Sequence, residues 1–230
     1  MTKLLALGSS DLSALAYFVI VWITLEIVVN HSPLRHKSLS GLMARRRREW
    51  MLVLAEREVR IVDATILAGL QQGAAYFGTA SMLAIGGCFA ALGATDEALR
   101  LFEDIPVIDS VSRVVFELKL AGLTLIFVYA FFKFGWSYRL FNYCSILIGA
   151  VQQPKETDSE TRIKQALRAG EMNTIAGKHF TAGQRSLFMA LAYLGWFAGP
   201  MVLAVTTTAV AAVLIRRQFF SNARRFLLED

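Results

Sequence analysis

Hydrophobic residues in this chain arrive in blocks rather than at the spacing of an amphipathic helix. Leu12–Val29, Val62–Phe89 and Ser186–Ile215 are long and nearly free of charge, and a fourth block opens at Arg113 and runs to Phe134. The hydrocarbon core of a bilayer is about 30 Å thick and takes roughly 20 apolar residues per helical crossing. The pattern therefore predicts an all-α fold, a multi-pass transmembrane helical bundle in a single integral membrane domain over 1-230. Its four main spans are expected at 12-29, 62-89, 113-134 and 186-215, with interfacial helices between them.

The polar segments set the topology. His31–Arg60 carries Arg35, Lys37, the run Arg45–Arg48, Arg57 and Arg60; within it Met43–Val62 has helical spacing and is expected to lie on the membrane surface. Gly93–Asp109 is acidic and poor in basic residues, which suits the outer side, and Pro106 argues against one helix through it. Residues 135-151 are expected to form an interfacial or re-entrant helix. Residues 152-185 are read as a cytoplasmic loop with a short helix over Asp158–Ala169, and Pro200, near Gly195 and Gly199, predicts a kink or a discontinuity. Lys and Arg gather in loops that stay cytoplasmic, so both basic segments are placed inside, in a bacterial inner (cytoplasmic) membrane. Four crossings then leave Arg216, Arg217, Arg224 and Arg225 outside, against the same rule. A fifth crossing through Gly135–Val151 brings that tail in but sends Lys155–Arg185 out.

Composition adds little to this and excludes a good deal. The 230 residues are 55% hydrophobic, and 24 Lys+Arg against 18 Asp+Glu give +6, a surplus that the basic loops account for without a nucleic-acid partner. Cys88 and Cys144 sit in apolar stretches and read as small buried hydrophobes. His31, His36 and His179 have no ligand spacing, and there is no phosphate-cradling glycine loop, nucleophile elbow or HExxH motif. No metal, cofactor or catalytic residue is expected.

Ionised groups within lipid must snorkel, pair or face a wet interior, which makes each a candidate. Glu26, Asp63, Gln71, Gln72, Lys119, Arg139 and Asn142 form the candidate ligand or ion pathway. By span order Asp11 is the carboxylate for Lys119 at the outer end, while Glu26 and Asp63 belong with Lys133 and Arg139 at the inner end. Arg113 and Glu117, four apart, are expected to pair. Trp136, Tyr138 and Tyr143 around Arg139 and Asn142 read as an interfacial clamp or a polar pocket. Arg45, Arg46, Arg47 and Arg48 are candidate contacts for anionic lipid headgroups, or a topological anchor only. Gly69 and Gly73 lie four apart and allow a close helix approach, within the chain or between copies.

In Phe116–Gly149, FELKLAGLTLIFVYAFFKFGWSYRLFNYCSILIG, with its Lys119, Phe131, Trp136, Arg139, Asn142 and Tyr143, the chain resembles the domain-of-unknown-function family 599, uncharacterised bacterial and plant integral membrane proteins. The resemblance runs from roughly Leu15 to Phe220 and takes in Arg48–Trp50, Gln71–Ala75 and the GWFAGP segment. It implies a multi-pass membrane protein and brings no substrate or reaction. Plant relatives often carry a glutamine and an arginine-asparagine pair early in the second helix; here Gln71 and Gln72 stand without that arginine.

Two function classes survive. The first is a small membrane transport or permeation component for an ion or small polar solute, as a homo-oligomer or alone. The alternative is a membrane scaffold or partner subunit that binds a membrane protein or anionic membrane lipids through its helix seams and basic loops. A membrane enzyme ranks below both, for want of a linked nucleophile and base. A wet cavity joining both charged layers favours transport, a broad helix seam favours assembly, and a closed pocket at one headgroup layer favours lipid-directed chemistry.

Overall fold

The computed structural model describes residues 7–97 and 112–228, all helix and connecting turns with no strand among them. Helix α1 covers Ser9–Asn30, and a 3₁₀ turn at Pro33–Lys37 leads into α2, Leu39–Ala55. Then come α3 (Ile61–Gly93), α4 (Arg113–Gly149), α5 (Ser159–Leu194), a second 3₁₀ turn at Gly195–Ala198, α6 (Pro200–Phe219) and the short α7 (Asn222–Phe226). Among the described residues four stretches are long and apolar enough to cross a membrane: α1, α3, α4 and Pro200–Phe226. The expected bend at Pro106 lies outside the described residues.

Four of the expected boundaries move. The surface helix expected over Met43–Val62 is α2, which ends at Ala55, and Ile61 already begins α3. No break occurs at residue 134, because α4 continues without interruption through 135-149. The expected 152-185 loop is mostly helix: Asp158 caps α5 by accepting the Thr161 backbone N–H, and the helix runs on through the expected start of the last span at Ser186. Its small residues allow this, since Ala166, Ala169, Gly170, Ala176, Gly177, Ala182 and Gly183 let the helix lie close against its neighbours. The apolar block 186-215 is in fact two helices. Gly199 at φ 133° lies where L side chains are strained, and Pro200 begins α6 at the position where its missing N–H costs nothing.

Partner positions give the helix directions. From α4 to α5, Lys119 meets Trp196, Phe134 lies on Gly183, Ser137 donates to the Ala176 carbonyl and Cys144 to that of Ala169. One number rises as the other falls, so the pair is antiparallel along its full length. Helix α3 is antiparallel to α4, through Phe77 stacked on Phe134 and Gln71 bonded to Asn142. Helix α6 folds back along α5, with Thr206 Oγ1 donating to the Ala192 carbonyl and Arg217 over the Phe188 ring.

At about 1.5 Å per residue, the 33 to 37 residues of α3, α4 and α5 reach roughly 50–55 Å, well beyond the thickness of hydrocarbon. The excess has its own core. One apolar cluster joins α1, α4, α5 and α6 through Phe18, Leu25, Leu123, Met189, Tyr193 and Leu203. A second joins α2 to one end of α3, α4 and α5 through Met51, Leu54, Leu67, Phe141, Cys144 and Ala169. The second layer lies at the basic end of the molecule, where two arginines clamp its corners. Arg60 donates to the carbonyls of Val151 and Gln152 at the end of α4. Arg162, almost fully buried, holds Ala55 O, Thr157 O and the Glu56 carboxylate. Free carbonyls at helix C-termini attract such cations.

Candidate functional site

Four consecutive arginines on a helix point in four directions, because successive residues turn by about 100°. On α2 this separates their roles. Arg45 and Arg46 pair with Glu49 on their own helix at 3.1 and 2.9 Å, and Arg48 reaches Glu171 at 3.7 Å. Arg47 turns inward, where its Nη1 donates to Asn173 O at 3.2 Å and lies over Gly177, at a place that a Cβ would fill. Burial pushes the Arg47 guanidinium below its ordinary pKa.

Arg47 lines a cavity of about 290 Å³ between α1, α2, α5 and α6. Lys178, Arg185 and Arg217 line it as well, together with apolar side chains such as Leu25, Phe188 and Leu214. Arg185 is the buried cation among them, 6% exposed. Its Nη2 donates to Glu26 Oε2 at 2.6 Å, and the same oxygen accepts from Asn30 Nδ2 at 2.6 Å. Nε and Nη1 of Arg185, and Oε1 of Glu26, have no partner among the described residues. On the other side of this ion pair a groove of about 410 Å³ between α1 and α4 is lined by Glu26, Trp22, His31, Ile126 and Tyr129.

The sequence-predicted residues fall into separate groups. Glu26 belongs to the ion pair with Arg185, not with Lys133 or Arg139. Asp63 is fully buried and accepts from Trp50 Nε1 at 2.6 Å and Arg57 Nη1 at 2.7 Å, which ties α2 to α3. Gln71 donates to Asn142 Oδ1 at 2.9 Å and Ser145 Oγ at 3.0 Å, while Gln72, about 100° further round α3, is exposed. Arg139 donates to Tyr143 Oη at 2.6 Å and stacks near Trp136, forming the aromatic clamp rather than a pocket shared with Asn142. Lys133 lies over the Tyr129 ring. Arg113 pairs with Glu117, as the spacing predicts, and also with Asp96.

Lys119 sits at the far end of the molecule, 3% exposed, donating to Trp196 O at 2.8 Å. The Trp196 indole N–H donates in turn to Asp11 Oδ1 at 2.6 Å. Lys119 and Asp11 thus share one layer with Trp196 between them. Buried Phe18, Leu25, Leu123, Ile126, Met189 and Tyr193 fill the space from that layer to Glu26 and Arg185. The two charged layers are therefore separated by packed side chains. Among the described residues no group of three or more His, Cys, Asp and Glu side chains is arranged to hold a metal ion.

In the sequence, Lys178, Arg185 and Arg217 read as topology signals alone. The available signal for Arg185 was its place directly before the uncharged run that starts at Ser186.

The family described as "Protein of unknown function, DUF599" matches residues 13–223, which include every residue that lines the cavity. The chain belongs to that family. No curated protein and no solved structure matches it. This DUF599 member is a helical membrane protein.

Proposed function

We propose that the protein binds an acidic amphiphile from the cytoplasmic leaflet in the cavity between α1, α2, α5 and α6. The observation that carries this reading is Arg185, a cation more than nine-tenths buried at a cavity wall with two donor atoms unpartnered. Buried charge is stable only when paired and hydrogen-bonded, and the carboxylate of Glu26 meets part of that requirement. The cavity has apolar walls for a hydrocarbon chain beside basic residues for a headgroup, the combination expected at a membrane rim. Arg47 carries the earlier suggestion for the Arg45–Arg48 run, and the basic end is read as cytoplasmic in a bacterial inner membrane.

The test is native mass spectrometry of the purified protein from micelles carrying equal amounts of acidic and zwitterionic lipid. Acidic lipid should stay bound, and the double variant Arg47→Gln, Arg185→Gln should lose most of it while remaining folded. Equal retention of both lipid classes by the unaltered protein would refute the reading.

A second reading, as a transport or permeation component, is favoured by the position of Glu26–Arg185. The pair stands between the basic cavity and the groove beside Trp22 and Tyr129, so that its opening would join the two. Proteoliposomes in which Glu26→Gln changes passage of an acidic amphiphile, without changing its binding, would support this. Assembly with a second copy or another membrane protein is a further proposal, for which the exposed side of α3 is the available surface.

A further inference from the structure

The charges around the cavity do not balance. Arg47, Lys178, Arg185 and Arg217 line it and no carboxylate does; Glu26 meets Arg185 from the neighbouring groove, and Arg47, Lys178 and Arg217 have no carboxylate partner among the described residues. An arginine side chain offers five N–H donors in fixed directions. At Arg185 only Nη2 is engaged, while Nε and Nη1 are buried without a partner. Lys178 and Arg217 are exposed and stand at the mouth, Arg47 forms a half-buried wall, and Arg185 is the deepest cation.

Resting on the reading of an acidic-amphiphile site, we propose that the group bound here is a terminal phosphate, a phosphate monoester rather than a diester. A diester carries a single negative charge and two free oxygens, and would leave most of this cationic surplus unanswered. A monoester carries about −1.5 to −2 at neutral pH, because its second pKa is near 6, and presents three strong acceptor oxygens. Three oxygens can meet Arg185 at the wall, once the side chains that cover its Nε and Nη1 shift, and still reach the cations nearer the mouth. Guanidinium recognises phosphate by its planar fork, which an ammonium group lacks. The phosphate lies against Arg185, and the chain that bears it follows Leu25, Phe188 and Leu214. Glu26 is the built-in competitor: it takes one donor of Arg185 and leaves the others to the ligand.

The experiment uses the full chain in nanodiscs of phosphatidylcholine and measures binding of phosphatidic acid, phosphatidylglycerol and inorganic phosphate. At pH 7.5 phosphatidic acid should bind at least ten-fold more tightly than phosphatidylglycerol. The preference should shrink several-fold at pH 5.5, where a monoester has one charge, as a diester does. Arg185→Lys keeps the charge but removes the fork, and should reduce the preference to about two-fold or less. Should that variant fail to fold, Lys178→Gln and Arg217→Gln alter exposed side chains and should each weaken phosphatidic acid binding about two- to ten-fold. Equal affinity for phosphatidic acid and phosphatidylglycerol, both above phosphatidylcholine, overturns the monoester inference and leaves the acidic-amphiphile reading standing. Binding of neither acidic lipid above background overturns both. Inorganic phosphate that binds as tightly as phosphatidic acid upholds the phosphate and overturns the amphiphile.

Discussion

At the scale of single residues, burial and partners separate side chains that look alike in sequence. Lys119 was singled out because a cation in an apolar run is costly, and the structure gives it a carbonyl, an indole face and Asp11 at one remove. It locks the turn after α5 and does not touch the basic cavity. Lys119→Met should therefore lower stability by about 1–3 kcal/mol, the range for leaving a buried hydrogen-bonding partner unsatisfied, with lipid binding unchanged. Thermal unfolding in detergent reads the first effect and native mass spectrometry the second; loss of lipid binding at unchanged stability would contradict this placement. The presence of a charged group at Lys119 and Glu26 was legible from the chain, whereas Asp11, expected as the carboxylate for Lys119, accepts from the Trp196 indole instead. Arg185 was not, because its partner Glu26 lies 159 positions away and linear spacing carries no information about that contact. Nor does a run of four arginines reveal which one faces inward; the phase of α2 against α5 decides that for Arg47.

At the scale of elements, close approach matters more than propensity. The small residues of α3 drew attention as a helix seam, yet an added Cβ at Gly69 or Gly86 meets nothing within 4 Å, and one at Gly73 only reaches the Phe180 ring at 4.0 Å. A tight contact lies instead on α5, where a Cβ at Gly183 would come within 2.8 Å of Phe134. That ring is fully buried, stacked on Phe77 and edge-on to Phe180, and has nowhere to move. Gly183→Ala should destabilise by about 1–3 kcal/mol, as overpacking does. Gly69→Ala and Gly86→Ala should be neutral or stabilising by up to about 1 kcal/mol in a single chain. Unfolding curves of the three variants test this, and destabilisation by the α3 changes would instead indicate a second copy on that face. The start of α5 carries a pH dependence. The Thr161 backbone N–H, bonded to the Asp158 carboxylate, holds that group below its ordinary value. A depressed carboxylate stabilises the fold above its unfolded pKa of about 4, and the contribution fades as pH falls through the folded value. Amide protection at Thr161 should drop in acid, and Asp158→Asn, an equally good cap without a charge to titrate, should remove that drop.

At the scale of the whole molecule, the four apolar blocks were legible because lipid selects for length and composition, and α1, α3, α4 and the stretch from Pro200 satisfy both. Helix α5 was hidden by its polar, glycine-rich sequence. It can nevertheless run alongside the apolar helices because its buried cation Arg185 is paired with Glu26, and α4 and α6 flank it. That hidden helix changes the topology. With α5 ascending from the basic layer to Trp196 and α6 descending from Pro200, the tail arrives at the end that holds α2. There Arg224 Nε donates to Lys37 O at 2.6 Å and Gln218 bonds to Ser40. The arginine tail that a four-span reading leaves on the outer side thus joins the other basic segments at one end of the described residues, the arrangement the charge rule expects. Single cysteines at Ser40, Lys155 and Ser221, in a background with Cys88 and Cys144 replaced by alanine, should all react with a membrane-impermeant maleimide only after the cells are opened. A cysteine at Asp96, next to Arg113 at the opposite end, should react in intact cells. Labelling at Ser221 in intact cells would put the tail across the membrane from α2. It would also separate Arg217 from Arg47, and with them the two walls of the proposed phosphate site.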